Sequence, residues 1–258
     1  MISNCGHDEK GKYKGGLAGD QTATEWAVIK WYNRPWNYVL RHPDPEVRQL
    51  IAEMARQAAE NDCVGYDQNQ RLTFWEQLQK ASYYPAKITT KCEADCSSGV
   101  AAIIKAVGYR TGDKKLQGIN VSCYTGNLRP ACKAIGFEIL NAKKYLDSDA
   151  YLLPGDILLY EFHHTAINLD IGRSVVTKNT SVDPAKVYND KIAGTYVTTS
   201  DLHLRCGAAT YKTSLTVMPK GSKVRCYGYL TVTNGTAWYY IKYGDLVGFA
   251  SSKYLKKV

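Results

Sequence analysis

Apolar positions recur at helical spacing along DPEVRQLIAEMARQAAEN, residues 44–61, where Val47, Leu50, Ile51, Met54, Ala55 and Ala58 form one stripe. Asp44 stands where a cap belongs and Pro45 at the first helical position, so the stretch predicts an amphipathic helix. NQRLTFWEQLQKA, residues 69–81, predicts a second, with Leu72, Trp75 and Leu78 on one side. In KCEADCSSGVAAIIKAVG, residues 91–108, Val100, Ile103, Ile104 and Val107 fall at i, i+3, i+4 and i+7. That predicts a third helix, ended by Gly108. LRPACKAIG, residues 128–136, reads as a shorter fourth.

Beyond it the period shortens. FEILNA, DILLYEF, TAINLDI and SVVTKN are β-prone runs between polar or glycine turns, and LPGD (153–156) feeds the strand that carries His163 and His164. Residues 1–43, rich in Gly, Asn and aromatics, read as turns with short strands. The expectation is an α+β domain over residues 1–190, helices first and then an antiparallel sheet. NTSVDPAKVYNDKIAG, residues 179–194, reads as a linker. Residues 194–258 alternate strands and turns at short intervals and predict a small all-β barrel or sandwich.

Composition narrows the partners. The chain of 258 residues is 45% hydrophobic, enough to bury a substantial core. No apolar stretch approaches the roughly 20 residues of a membrane span, so no membrane insertion is expected. The start, MISNCGHDEK, is polar and lacks an apolar signal core. The eight cysteines are therefore expected to be reduced thiols. Cys92 and Cys96 lack a second Cys/His pair at ligand spacing, so neither a metal nor any other cofactor is expected. Net charge is +9, and residues 195–258 hold nine Lys and Arg against Asp201 and Asp245. Such a basic segment points to an anionic partner. The basic segment has no alternating run of cations and stacking aromatics and no zinc-finger spacing, which speaks against nucleic acid.

The candidate chemistry sits where the third helix begins. A thiol at a helix N-terminus faces unpaired N–H groups and the positive end of the dipole, which favour its anion. Cys96 occupies that place and needs an imidazole as base. Of the five histidines, His163 and His164 are adjacent on a predicted strand, so only one can point at the thiol. His164, sharing a face with Ala166 and Asn168, is the candidate.

ADCSSGVAAIIKAVG resembles the nucleophile motif of NlpC-type cysteine peptidases, and LPGDILLYEFHHTAINL resembles that family's Pro-Gly-Asp turn and histidine strand. The resemblance implies a papain-like domain cleaving an amide of bacterial peptidoglycan, with Cys96 as nucleophile and His164 as base. It implies substrate-binding or oxyanion roles for Tyr84, Asp95 and Ser97, although the Gly-Gly that follows the family tyrosine is absent here. The third catalytic member stays open between Asn168, Thr177 and Asn179 near Val176, and the N-terminal NCGHDE with His7 and Asp8. GGLAGDQTATEW and WYNRPWN are similar to the opening of certain phage-type peptidoglycan hydrolases, which implies a glycopeptide cleft lined by Asp20, Gln21, Trp31, Arg34 and Trp36. LHLR, GSKV, WYYI and GFASSKYL in residues 194–258 resemble a bacterial SH3-like domain, implying attachment to peptidoglycan and its anionic wall polymers. These resemblances imply an endolysin-like enzyme made in the bacterial cytoplasm and released to the wall through a holin or similar route. They leave open whether the muramoyl–L-alanine or the γ-D-glutamyl amide is cut. Two alternatives stand beside it: a non-catalytic wall-binding protein on a degenerate papain-like fold, and a cysteine acyltransferase or protease on the same fold.

Overall fold

The computed structural model describes residues 1–176, 181–244 and 246–258, in two compact units, Met1–Val175 and Val176–Val258. The predicted stripe forms α1, Pro45–Ala59, in which the Asp44 side chain accepts the Glu46 N–H and Val47, Ile51, Met54, Ala55 and Ala58 are buried. α2, Thr73–Lys80, buries Phe74 and Leu78. α3 runs from Cys96 to Thr111 and ends at Gly112, which takes the left-handed conformation, φ 78°. Gly108, expected as the stop, lies inside this helix. A Cβ there would sit 2.6 Å from the Gln117 backbone nitrogen, so the glycine serves close packing instead. The fourth predicted helix forms over Leu128–Ala134.

The first unit is α+β, but its helices do not simply precede its sheet. Three strands come from the first 41 residues: β1 (Ile2–Cys5), β2 (Trp26–Ile29) and β3 (Tyr38–Arg41). A parallel pair, β4 (Val64–Tyr66) and β5 (Cys92–Ala94), stands apart. After the helices come β6 (Glu138–Leu140), β7 (Ile157–Tyr160) and β8 (His164–Asn168). The six-stranded order is β2-β1-β8-β7-β3-β6, so β1 lies inside the sheet, hydrogen-bonded to β8 through Ile2↔Asn168 and Ser3↔Ile167. Leu40, Ile157, Leu159 and Ile167 face the core built on α1, α2 and α3, while Ile2, Val39, Leu158 and Ala166 form a second core with Trp36 on the other side. The run SVVTKN, expected as a strand, begins inside a short helix, Arg173–Val176, and its last three residues, including Thr177 and Asn179, lie outside the described residues.

The turn before β7 is locked. Asp156 is fully buried, pairs with the Arg41 guanidinium at 2.5 Å and accepts the Leu153 N–H at 2.8 Å. Gly155 takes φ 82°, and a Cβ on it would lie 2.1 Å from the Arg48 carbonyl oxygen.

The second unit is antiparallel: β9 (Val187–Tyr188), β10 (Gly194–Thr198), β11 (Leu202–Arg205), β12 (Ser214–Met218), β13 (Lys223–Thr233), β14 (Thr236–Tyr243), β15 (Leu246–Ser251) and β16 (Leu255–Lys257). Their order is β12-β11-β15-β14-β13-β10-β16, with β9 on β13. β13 alternates buried Val224 and Cys226 with exposed Lys223, Arg225 and Tyr227, as a half-buried strand must. The described part of the segment read as a linker is not free. Asp183 donates its backbone N–H to Cys206 and pairs with Lys212, β9 pairs with β13, and Val182 and Ala185 pack on Trp238 and Phe249.

Replacing Gly155 by Ala combines a strained φ with a backbone clash. It is expected to destabilise the first unit by about 2–3 kcal/mol in urea unfolding, whereas Gly136→Ala, at a positive φ with open space around it, should cost less.

Candidate active site

Cys96 is the first residue of α3, and the residue before it sets the helix start. The Asp95 side chain accepts the backbone N–H groups of Ser97 (3.0 Å) and Ser98 (2.7 Å) and the Ser97 hydroxyl (2.9 Å). The Ser98 hydroxyl accepts the Asp95 N–H in return, which completes a capping box. The other Asp95 oxygen lies 2.7 Å from an Arg71 guanidinium nitrogen. Asp95 and Ser97 are thus buried supports of the turn. Because the cap is directed at Ser97 and Ser98, it leaves the Cys96 N–H uncapped.

Cys96 is 9% exposed. The N–H groups of Thr165 and Ser97 are directed at its sulfur, and with Arg71 they favour the thiolate. Burial outweighs them, helped by the Asp95 charge, and pushes the thiol up to about 12. The resting sulfur is therefore a thiol, against the expectation that the helix terminus alone would ionise it.

Thr165, which reaches the sulfur, follows His164 on β8. His164 is buried, and its Nε2 lies 2.8 Å from Asn4 Oδ1. With the Asn4 oxygen as acceptor, Nε2 carries the proton, which leaves Nδ1 as the acceptor nitrogen of the ring. Tyr32 also donates to Asn4 Oδ1, at 3.4 Å, and Arg34 donates to the Tyr32 hydroxyl at 3.2 Å. Trp36 packs beside the imidazole, 6.2 Å between ring centroids. Burial, then the Arg34 charge, lowers His164 to about 4, so the ring is neutral at pH 7.

Cys96 and His164 line one cleft of about 570 Å³, together with Asn4, Tyr32, Arg34 and Tyr66. β4 and β5 bring Tyr66 there by pairing it with Ala94, two residues before Cys96. The Tyr66 phenol is held above its ordinary range by burial and by the nearby Cys96 and Cys5 sulfurs, and Gln68 donates to it at 3.2 Å.

Several expected site residues lie elsewhere. The Tyr84 ring stacks under Arg110 at the far end of α3, fourteen residues and about 21 Å along the helix from Cys96. Asn168 is four residues along β8 from His164, about 13 Å, and its amide donates to the Leu153 and Asp170 carbonyls. Gln21 is exposed on its loop, where its amide donates to Ala18 and Gly19 carbonyls and accepts from Lys91. Asp20 accepts four backbone N–H groups of the same loop. Trp36 is 4% exposed, so it backs the imidazole and offers no face to a ligand. Trp31 packs against the second core beneath the sheet. Asp8, fully buried, accepts the N–H groups of Lys10 and Lys12, while His7 lines the cleft. Asn4, the first residue of NCGHDE, is the one side chain of that stretch bonded to His164. Only the β1–β8 pairing, across 160 residues of sequence, reveals it.

Asp95→Ala removes both the helix cap and the buried partner of Arg71. It is expected to destabilise the first unit by about 2–4 kcal/mol in denaturant unfolding. Tyr84→Ala, at the other end of the helix, should leave the cleft's ligand binding unchanged.

Residues 2–175 match the family model described as Endolysin-like domain. No curated protein and no solved structure matches the chain.

Proposed function

The chain belongs to the endolysin-like domain family, a family of cell-wall lysis, and from that premise we propose that it is a peptidoglycan hydrolase working through Cys96 and His164. The observation that carries this reading is one cleft lined by a helix-terminal thiol and by an imidazole whose far nitrogen is fixed by an amide. In this mechanism the Cys96 sulfur attacks the scissile carbonyl while its proton passes to His164 Nδ1. The tetrahedral oxyanion is met by the Cys96 N–H and by the Tyr66 hydroxyl. Collapse expels the amine, which takes the proton from the imidazolium, and leaves a thioester. Imidazole then removes a proton from water, and hydrolysis of the thioester frees the acid and the thiol. Asn4, from the NCGHDE stretch that stood among the open candidates with Asn168, is the orienting residue, and Tyr66 takes the place expected of Tyr84.

Neutral thiol beside neutral imidazole suits a general-base attack, with proton removal and bond formation together, better than a standing ion pair. The same raised thiol is the observation that favours a second reading, a wall-binding protein without catalysis. Purified Cys96→Ala is expected to clear cell walls at no more than about a thousandth of the parent rate. Parent turnover is expected to stay level from pH 8 down to about 5 and to fall as pH drops through 4, because protonated His164 cannot act as base. An acid limb near 6.5 would assign the base to another group, and no lysis by the parent would favour the second reading. Mass spectrometry of digested peptidoglycan identifies the bond and separates hydrolysis from acyl transfer.

The second unit, in this proposal, is an SH3-like module that holds the enzyme on anionic wall polymer. The support is a strip of cations on one face of its sheet. Arg225 and Lys242 stand directly opposite each other on β13 and β14, and Lys223 and Lys256 flank Val197 in the next row. All four are exposed and none has an ion-pair partner among the described residues. Like charges set opposite on a sheet cost stability, which an anionic polymer would offset. Lys223→Glu with Arg225→Glu is expected to weaken sedimentation with cell walls at least tenfold at 0.15 M salt. High salt should weaken the parent similarly.

A further inference from the structure

Arg34 is a half-buried cation in the wall of the Cys96 cleft. Its guanidinium donates to the Tyr32 hydroxyl and lies 6.0 Å from the centre of that ring, and it has no ion-pair partner among the described residues. The side chains lining the cleft include His7, His163 and His164 besides Arg34, and no carboxylate. The first unit does not lack acids near its N-terminus. Asp8, Asp20, Glu25, Asp67 and Glu93 are all buried, and each accepts backbone N–H groups of the loops that carry them or pack on them. The acids are turned inward and the guanidinium is left facing the cleft.

A charge this close to His164 works against the base, since it favours loss of the imidazole's proton. The penalty is removed when an anion sits on the guanidinium. A planar five-donor group with open donors is suited to a carboxylate held by two parallel bonds.

Building on the hydrolase reading, we infer that Arg34 anchors a free carboxylate of the substrate beside the scissile amide, so that the cleft selects stem peptides whose D-glutamate keeps its α-carboxylate over those in which it is amidated. The carboxylate lies within the γ-linked residue itself, on the acyl side of the γ-D-glutamyl amide and one residue beyond the muramoyl–L-alanine amide. The anchor is connected to the base through Tyr32 and Asn4, so filling it also steadies the chain of hydrogen bonds that orients His164.

The test uses the full chain and two synthetic muramoyl tripeptides, L-Ala-γ-D-Glu-diamino acid with the glutamate α-carboxylate free and the same compound as the α-amide. Both contain both candidate amides, and cleavage is read by mass. The parent is expected to favour the free acid by about tenfold to a hundredfold in kcat/KM, chiefly through KM. Arg34→Gln should lose that preference, treating the acid as poorly as the amide, and Arg34→Lys should recover part of it. Binding of both tripeptides to Cys96→Ala by calorimetry should show the same preference without turnover. Equal cleavage of the two compounds by the parent overturns the anchor and leaves the hydrolase reading standing. Preference retained in a folded Arg34→Gln overturns the anchor as well. Cleavage of neither compound by the parent overturns both.

Discussion

A single buried carboxylate fixes the place of the Cys96 sulfur. Asp95 ends β5, starts α3, holds Ser97 and Ser98 and engages Arg71, so the position of the Cys96 sulfur follows from its bonds. The same charge, a residue away, opposes ionisation of that sulfur. Helix-terminal N–H groups pull one way, burial and Asp95 the other, and burial wins because a thiolate out of water loses more than a partial dipole returns. Placement and activation are therefore separate tasks in this fold. The helix start does the placing, and under the hydrolase proposal activation falls to a base able to take the proton at the moment of attack.

The first 30 residues take their shape from side-chain carboxylates more than from secondary structure. Asp20 gathers the N–H groups of Thr22, Thr24, Glu25 and Trp26, Asp67 those of Gly15 and Gly16, and Glu93 that of Gly19. Burial with neighbouring acids raises Glu93 to about 8, which favours its protonated form and suits a group whose second oxygen has no hydrogen-bond partner among the described residues. A loop organised this way has its hydrogen-bonding capacity directed inward, which keeps the protein's own carboxylates off the cleft wall.

The helices were legible in the sequence because α1, α2 and α3 each bury one periodic stripe against a common core. Cys96 was legible because its chemistry is local: a thiol, a cap and an apolar run in continuous sequence. The misplacements share one cause. Tyr84 precedes Cys96 by twelve residues, yet the chain runs past the C-terminal end of α3 before returning along β5, so sequence proximity put it at the wrong end of the helix. Asn168 has the right residue type and the right face of β8, but at 3.3 Å per residue it cannot reach His164. Asn4 carries no local mark at all, since its partner is supplied by a strand pairing that only the tertiary fold creates. Trp36 was recognised as a neighbour of the site, but its burial gives it the imidazole as its contact.

The interior position of β1 has a consequence for the order in which the protein is made. β1 is synthesised before its sheet partners and can meet β2 early, but its other neighbour, β8, ends at Asn168. At roughly 5–20 residues per second, the gap between the two strands' synthesis is about ten to thirty seconds. Through that interval Asn4 and His164 cannot meet, and the sheet stays open along the edge β8 will fill. A truncated or still-growing chain accordingly holds the thiol without its oriented imidazole, and translation itself keeps the centre unassembled until the first unit is whole.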